Sequence, residues 1–379
     1  MTTLTFEEFL DSRTEWNSAL RQSLDNHIFL TWEWLSCWWK HYGSRRDFIL
    51  VTIKKDEKIL AAAPLMNTEY KLFGMNLRKI EFIGAPASDY HSLLLTAKKP
   101  EYTRTMINYT NRITPDWDCF EFEEVPTDSE TAAVLRNISE EPFKLKEETS
   151  ALCPYITLPS KFEDYFKQLG SNWRRNMRRW EKKLKQDFEV EFKICDSVEK
   201  IEEALGTFFD LHQKRWRSKG KSGAFADEEF CDFHLDVART FAETGWLNLC
   251  FLTLNGEPAS AIYAFKYGQK MFNYLCGFDP RYSEYRVGHL VFLYLIQHSV
   301  NSGMKEFDFM RGGESYKNLW NTMMRENLKL SAMRRAFIPI VYSWIMHARA
   351  RAILKDDRFS SLLRKFGRPI LNRALSTNT

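Results

Sequence analysis

The 379 residues include seven cysteines but no C-x-x-C pair. The cysteines lie scattered at 37, 119, 153, 195, 231, 250 and 276. An odd, dispersed set excludes a disulfide scaffold or zinc finger and reads as a reduced, cytosolic chain. The eight histidines make no H-E-x-x-H or closely spaced His pair, so no metal is expected. Long hydrophobic runs are missing too. The longest, residues 336–346, is interrupted by Pro339 and falls well short of the roughly 20 residues a membrane span needs. Residues 1–11 carry Glu7, Glu8 and Asp11 but no Lys or Arg, which argues against a secretory leader. No P-loop, G-x-G-x-x-G or G-x-S-x-G occurs, so kinase, dinucleotide oxidoreductase and α/β-hydrolase chemistry have no motif to rest on.

What is present is the composition of a globular protein, 44% hydrophobic and 27% charged, with an aromatic content of 15% that predicts a large, ring-filled core. The net charge of +4 is uneven. Residues 334–379 hold ten Lys and Arg against two Asp, so the rest of the chain is slightly acidic. That is a basic tail on a near-neutral body, not a DNA-binding surface.

Periodicity predicts helices over 6–11 and 14–24, and another that Thr31 would cap. The four tryptophans between 32 and 39 read as core anchors. A hairpin is expected over 48–53 and 58–66, strands at 77–83 and 91–95, helix 101–112, strand 118–122 and helix 129–138. Residues 142–160 show little periodicity and contain Pro154 and Pro159, which places a domain boundary near 155. Helices 161–169 and 171–185, strand 189–193 and helices 198–217 and 227–243 follow. Asn255-Gly256 then marks a tight hairpin between strands 247–254 and 258–265. Strand 270–277, loop 278–287, helix 288–302 and strands 305–310 and 328–333 complete the series. The order strand–strand–strand–loop–helix–strand occurs twice, offset by roughly 190–200 residues. The expected domains are 1–154, 155–335 and a basic helical tail, 336–379.

Several segments resemble the CelD-like group of the GNAT acyltransferase superfamily, close to the FemAB proteins. They are Phe208-Phe209-Asp210-Leu211-His212-Gln213-Lys214-Arg215-Trp216, Tyr274-Leu275-Cys276-Gly277-Phe278-Asp279-Pro280-Arg281-Tyr282 and, sharpest, Phe307-Asp308-Phe309-Met310-Arg311-Gly312-Gly313-Glu314-Ser315-Tyr316-Lys317-Asn318-Leu319-Trp320. In the first half, Phe29-Leu30-Thr31-Trp32-Glu33-Trp34-Leu35 and Gly84-Ala85-Pro86-Ala87-Ser88-Asp89-Tyr90-His91 add to the likeness. The resemblance implies an α+β fold of two tandem GNAT-like (acyl-CoA N-acyltransferase) domains, with mixed sheets flanked by helices. It implies transfer of an acetyl or other acyl group from acyl-CoA to an amine of a sugar, a polysaccharide or lipid precursor, or another envelope-related metabolite. One departure stands out. The family's Q/R-x-x-G-x-G/A segment corresponds to residues 283–290, and Arg286 stands where a glycine is expected.

On that likeness the donor site falls on Leu275, Cys276 and Gly277 of the central strand, and on Arg286, Val287, Gly288 and His289 at the helix start, where backbone N–H groups receive a pyrophosphate. Asp308 and Glu314 are the bases expected to take the amine proton, and Tyr316 the acid for the departing thiolate. Asp89, Tyr90, His91, Arg311 and Lys317 are assigned to the acceptor. Two other readings stand beside this one: a FemAB-like transferase that uses aminoacyl-tRNA, and a non-catalytic GNAT-like binding module. Segment 171–185 sets a stripe of Trp173, Met177, Trp180 and Leu184 against seven Lys and Arg. That pattern suits a packed helix with a solvated basic face, and equally one that contacts phosphates of tRNA or anionic lipid. The tail, with Tyr342 and Trp344 ahead of Arg349, Arg351 and Lys355, suits a domain-packing helix or peripheral contact with the inner membrane face.

Overall fold

The computed structural model describes residues 1–72, 75–138, 145–195 and 198–334. The expected tail, 336–379, lies outside them. The chain divides into two compact units: Met1–Leu152 with Arg325–Thr379, and Cys153–Met324.

Unit 1 begins with β1 (Thr2–Leu4), α1 (Phe6–Asp11), α2 (Arg13–Gln22) and α3 (Trp32–Tyr42). Thr31 caps α3 as its sequence predicts, its hydroxyl accepting from Trp34 N–H. Trp34 and Trp38 are fully buried, as core anchors should be. β2 (Arg46–Lys55) and β3 (Lys58–Leu72) form the hairpin, and β4 (Met75–Phe82) follows. After β5 (Leu94–Leu95) and α4 (Pro100–Ile113) come β6 (Cys119–Pro126), α5 (Glu130–Arg136) and the start of β7 (Lys146–Thr157). The unit's strands lie in the order β1-β2-β3-β4-β6. β4 and β6 are parallel, as a strand–helix–strand connection requires, and the other neighbours are antiparallel. Ile49, Val51, Leu65, Ile80, Phe120 and Phe122 pack with Met106 and Ile107 of α4 to make the core.

Unit 2 continues from β7 with α6 (Phe162–Gln168), α7 (Ser171–Asp187), β8 (Val190–Cys195), α8 (Ile201–Arg217) and α9 (Glu228–Glu243). β9 (Leu247–Leu254), β10 (Glu257–Tyr267) and β11 (Lys270–Phe278) form a meander. Asn255 and Gly256 take φ of +50° and +83° in the tight turn their sequence predicts. α10 (Val287–Asn301), β12 (Glu306–Asp308) and β13 (Met323–Met333) complete the described chain. Strand order is β7-β12-β11-β10-β9-β8, again with one parallel pair, β11 with β12. Leu252, Ile262, Val291, Leu295, Phe307 and Phe309 form the core under α10.

Two elements differ from expectation. Residues 146–157 form a strand where little periodic structure is expected. Pro154 has no N–H to give, but its carbonyl accepts from Phe309 N–H at 2.9 Å, so the strand holds its place in the ladder. The last strand is longer than 328–333, and residues 327–333 pair with β6 of unit 1. Unit 1 is thus closed by a strand from beyond unit 2.

Candidate active site

β11 and β12 pair only over residues 270–272 and 306–308. The remaining residues of β11, 273–278, run on past the end of β12. A cavity of about 260 Å³ lies at that free end. Cys276, Gly277 and Phe278 form its strand wall. Gly277 is required there because any Cβ would sit 2.4 Å from the backbone nitrogen of His212 on α8. Strand alternation turns Cys276 and Phe278 the other way, toward the α10 side of the core.

The loop after β11 is tied down at both ends. Asp279, 2% exposed, accepts from the backbone and guanidinium of Arg281 at 3.0 and 2.9 Å and lies 3.4 Å from Lys214. Burial raises its carboxyl, but these donors outweigh that and hold its pKa below the ordinary value. Glu284 pairs with Lys183 of α7 at 3.0 Å, and the Tyr285 hydroxyl donates to Asp187 at 2.9 Å. Arg286 then takes φ +58° and ψ +34°, a left-handed conformation that costs a non-glycine residue about 1–2 kcal/mol. Arg286 therefore takes a backbone conformation that favours glycine. The Arg286 carbonyl accepts from His289 and Leu290 N–H, which starts α10, and its guanidinium stands 5.7 Å over Trp180. Gly288 keeps the helix start close to β11: a Cβ there would lie 3.3 Å from the Phe278 ring.

His289 faces the cavity between two indoles, stacked on Trp180 at 5.9 Å and edge-on to Trp173 at 5.2 Å. Burial, with Arg286 and Arg215 nearby, pushes its pKa down to about 4, so the imidazole is neutral at neutral pH. Its Nδ1 is buried without a partner, as is Nε of Arg215. Arg215 reaches the cavity from the last turn of α8, and its Nη1 donates to the Cys276 carbonyl at 3.0 Å and to Sγ at 2.7 Å. Tyr316 completes the lining. Burial first, then Cys276 and Glu314, raise the pKa of its hydroxyl well above the ordinary tyrosine value.

Of the donor-site residues expected from sequence, Cys276, Gly277, Arg286, Val287, Gly288 and His289 line this cavity, and Tyr316 joins them. Leu275 does not; it is buried, one alternation away. Asp308 is fully buried, and its carboxylate accepts from Met310 N–H at 2.8 Å, holding Met310 at φ +61°. It is placed to fix a turn, and it does not reach the cavity lining. Glu314 lies beside Tyr316 and Arg215 and pairs with Lys317 at 2.9 Å. Lys317 is not available to an acceptor as expected. Its ammonium, 3% exposed, is spent on the carbonyls of Met310, Arg311 and Gly312 at 3.0–3.3 Å and on Glu314. Arg311 is buried. Asp89, Tyr90 and His91 are buried in unit 1: the Asp89 carbonyl accepts from Asn327 at 2.9 Å, and His91 Nδ1 meets the Glu123 carbonyl at 2.9 Å. Sequence reasoning missed Arg215, Phe278, Ser283, Val291 and Phe292 in the lining. Arg215 lies within a quoted family segment, but nothing in the local pattern says that the end of α8 reaches β11.

The sequence model of the acetyltransferase (GNAT) domain family matches residues 171–318. That span holds α7, the split strands, the α10 start and the cavity. Over that span the chain is similar to a GNAT domain. No curated protein matches the chain. Among solved structures, FemX superposes with a TM-score of 0.64 at 10% identity, covering 88% of this chain and 98% of that one. The C-terminal DUF2156 domain of a putative lysylphosphatidylglycerol synthetase from Agrobacterium fabrum gives 0.54 at 10%, covering 89% and 96%. L-PGS from Bacillus licheniformis gives 0.53 at 11%, covering 88% and 96%. At these identities the likeness shows a shared fold. Among the described residues no His, Cys, Asp and Glu group suited to a metal occurs, and no helix is long and apolar enough to cross a membrane.

Proposed function

We propose that the chain is an acyltransferase whose GNAT domain takes the acyl group of an acyl-CoA thioester and passes it to an amine of a sugar, a polysaccharide or lipid precursor, or another envelope-related metabolite. The observation that carries this reading is the left-handed Arg286 at the mouth of the β11–β12 split. The loop keeps the glycine-like turn that brings backbone N–H groups to a pyrophosphate, and it adds a guanidinium to neutralise it. The cavity, at about 260 Å³, is near the roughly 300 Å³ lower bound for a whole small-molecule site, so it suits the acyl end of a longer donor. Unpartnered Arg215 Nε and His289 Nδ1 are polar atoms that a bound ligand would satisfy.

In this reading Tyr316, whose hydroxyl stays protonated, gives its proton to the leaving sulfur. Glu314 takes the proton of the attacking amine. Calorimetry with acetyl-CoA and longer acyl-CoAs tests the donor. Micromolar binding that disappears in Gly288→Trp supports it, and no binding to any of them overturns it.

Aminoacyl-tRNA is the second donor to consider. α7 favours it: among the described residues its exposed Arg179 and Lys182 have no partner, and FemX shares the fold. Binding of tRNA that weakens steeply with salt, together with indifference to acyl-CoA, would select that reading.

A further inference from the structure

We propose that Cys276 is an acyl-accepting nucleophile, so that transfer passes through an S-acyl-cysteine on the protein. This rests on the acyl thioester reading above. Cys276 is the one cysteine in the cavity lining. Its sulfur sits on a strand paired to β10 at Ile262, not on a loop, so its position is fixed by the ladder. Arg215 is held on the same residue twice, by the carbonyl at 3.0 Å and by Sγ at 2.7 Å. A guanidinium against sulfur stabilises negative charge there, whether on an attacking or a departing thiolate. Tyr316 lines the same cavity. Arg215 Nε and His289 Nδ1, buried and unpartnered, leave polar capacity for a ligand in the same cavity.

Cys250 shows what a merely structural thiol looks like in this sheet. It is fully buried on β9, and burial pushes its pKa up to about 12. Cys276 is instead half-buried, lines the cavity and meets the Arg215 guanidinium.

The step balances without redox chemistry. The Cys276 sulfur attacks the thioester carbonyl, a C–S bond to Sγ forms and the C–S bond to the donor breaks. The Sγ–H proton passes to the departing sulfur through the Tyr316 hydroxyl, which gives one proton and takes another. An amine then attacks the acyl-cysteine, forms the amide and returns a proton to Sγ.

The test is intact-protein and peptide mass spectrometry of the full chain after incubation with acetyl-CoA and no acceptor. One acetyl group on Cys276, released by neutral hydroxylamine and absent in Cys276→Ala, is the expected result. Arg215→Met should slow its appearance by about tenfold or more, the worth of a charged hydrogen bond. Alkylation of Cys276 by iodoacetamide, with and without acetyl-CoA, runs in parallel. Protection without an adduct means the donor is held but the acyl group goes directly to the amine, which overturns the inference and leaves the donor reading standing. Neither protection nor adduct overturns both. Acetylation of a different cysteine, or amine acylation by Cys276→Ala or Cys276→Ser at the wild-type rate, also overturns it.

Discussion

The two units share a topology and use it differently. Each has a meander, a loop, a helix and a strand parallel to the strand before the loop. In unit 2 the loop from β11 to α10 stays at the rim and leaves a cavity beside Cys276. In unit 1 the loop from β4 to α4 turns inward and spends its polar groups on its own surroundings. Ser88 accepts from Trp34 Nε1 at 2.8 Å, Ser92 meets His27 at 2.9 Å, and His91 stacks on Phe82 at 5.5 Å. The matching contact in unit 2 is Phe278 against Gly288, where the absent side chain leaves room. The lesson is that one scaffold yields a site or a filled core according to whether the loop supplies side chains or withholds them.

Substitutions can break this contrast. Gly277→Val should have the largest effect. It forces a branched side chain into the α8 backbone, and a loss of about 3 kcal/mol or more is expected, read as a drop in urea midpoint. Lys317→Met should follow at about 2–4 kcal/mol, because it strips the carbonyls of residues 310–312 of their donor and removes the ion pair with Glu314. Tyr316→Phe tests the site and not the scaffold. Turnover should fall by about a hundredfold while the urea midpoint moves little, and an unaltered rate would remove Tyr316 from the mechanism. In unit 1, Ser88→Ala should cost about 1 kcal/mol by orphaning the Trp34 N–H, with acyl-CoA affinity unchanged. A weakened donor affinity there would mean the filled core is not separable from the site.

A further expected effect is on pH dependence. His289 has its folded pKa depressed to about 4 from an ordinary value of 6.5. Its contribution to stability is fully present above about pH 6.5 and is lost as the pH falls toward 4, because the unfolded chain binds the proton first. His289→Gln should flatten that part of the acid limb in a urea titration series, and an unchanged limb would place the titration elsewhere.

Much of the frame was legible because local rules fix it. Thr31 at a cap and Asn255-Gly256 in a two-residue turn need no distant partner to be read. The cavity wall was legible as a segment, since a strand end, a loop and a helix start are consecutive in sequence. What sequence could not give is where a side chain spends its polar atoms. Asp308 reads as a base and Lys317 as an acceptor contact beside two glycines, yet one holds a turn and the other clamps three carbonyls. Arg215 is as distant from Cys276 in sequence as it is close in space. β7 went unread because its proline and weak alternation hide a strand whose partners lie more than a hundred residues away.

The path of the chain also sets a timetable. β6 obtains its neighbour from residues 327–333, which are made only after all of Cys153–Met324. At synthesis rates of about 5–20 residues per second, roughly 10–35 s separate the two units' boundaries on the ribosome. Through that interval the flank of β6 awaits its partner. The part of the protein made first is therefore finished last.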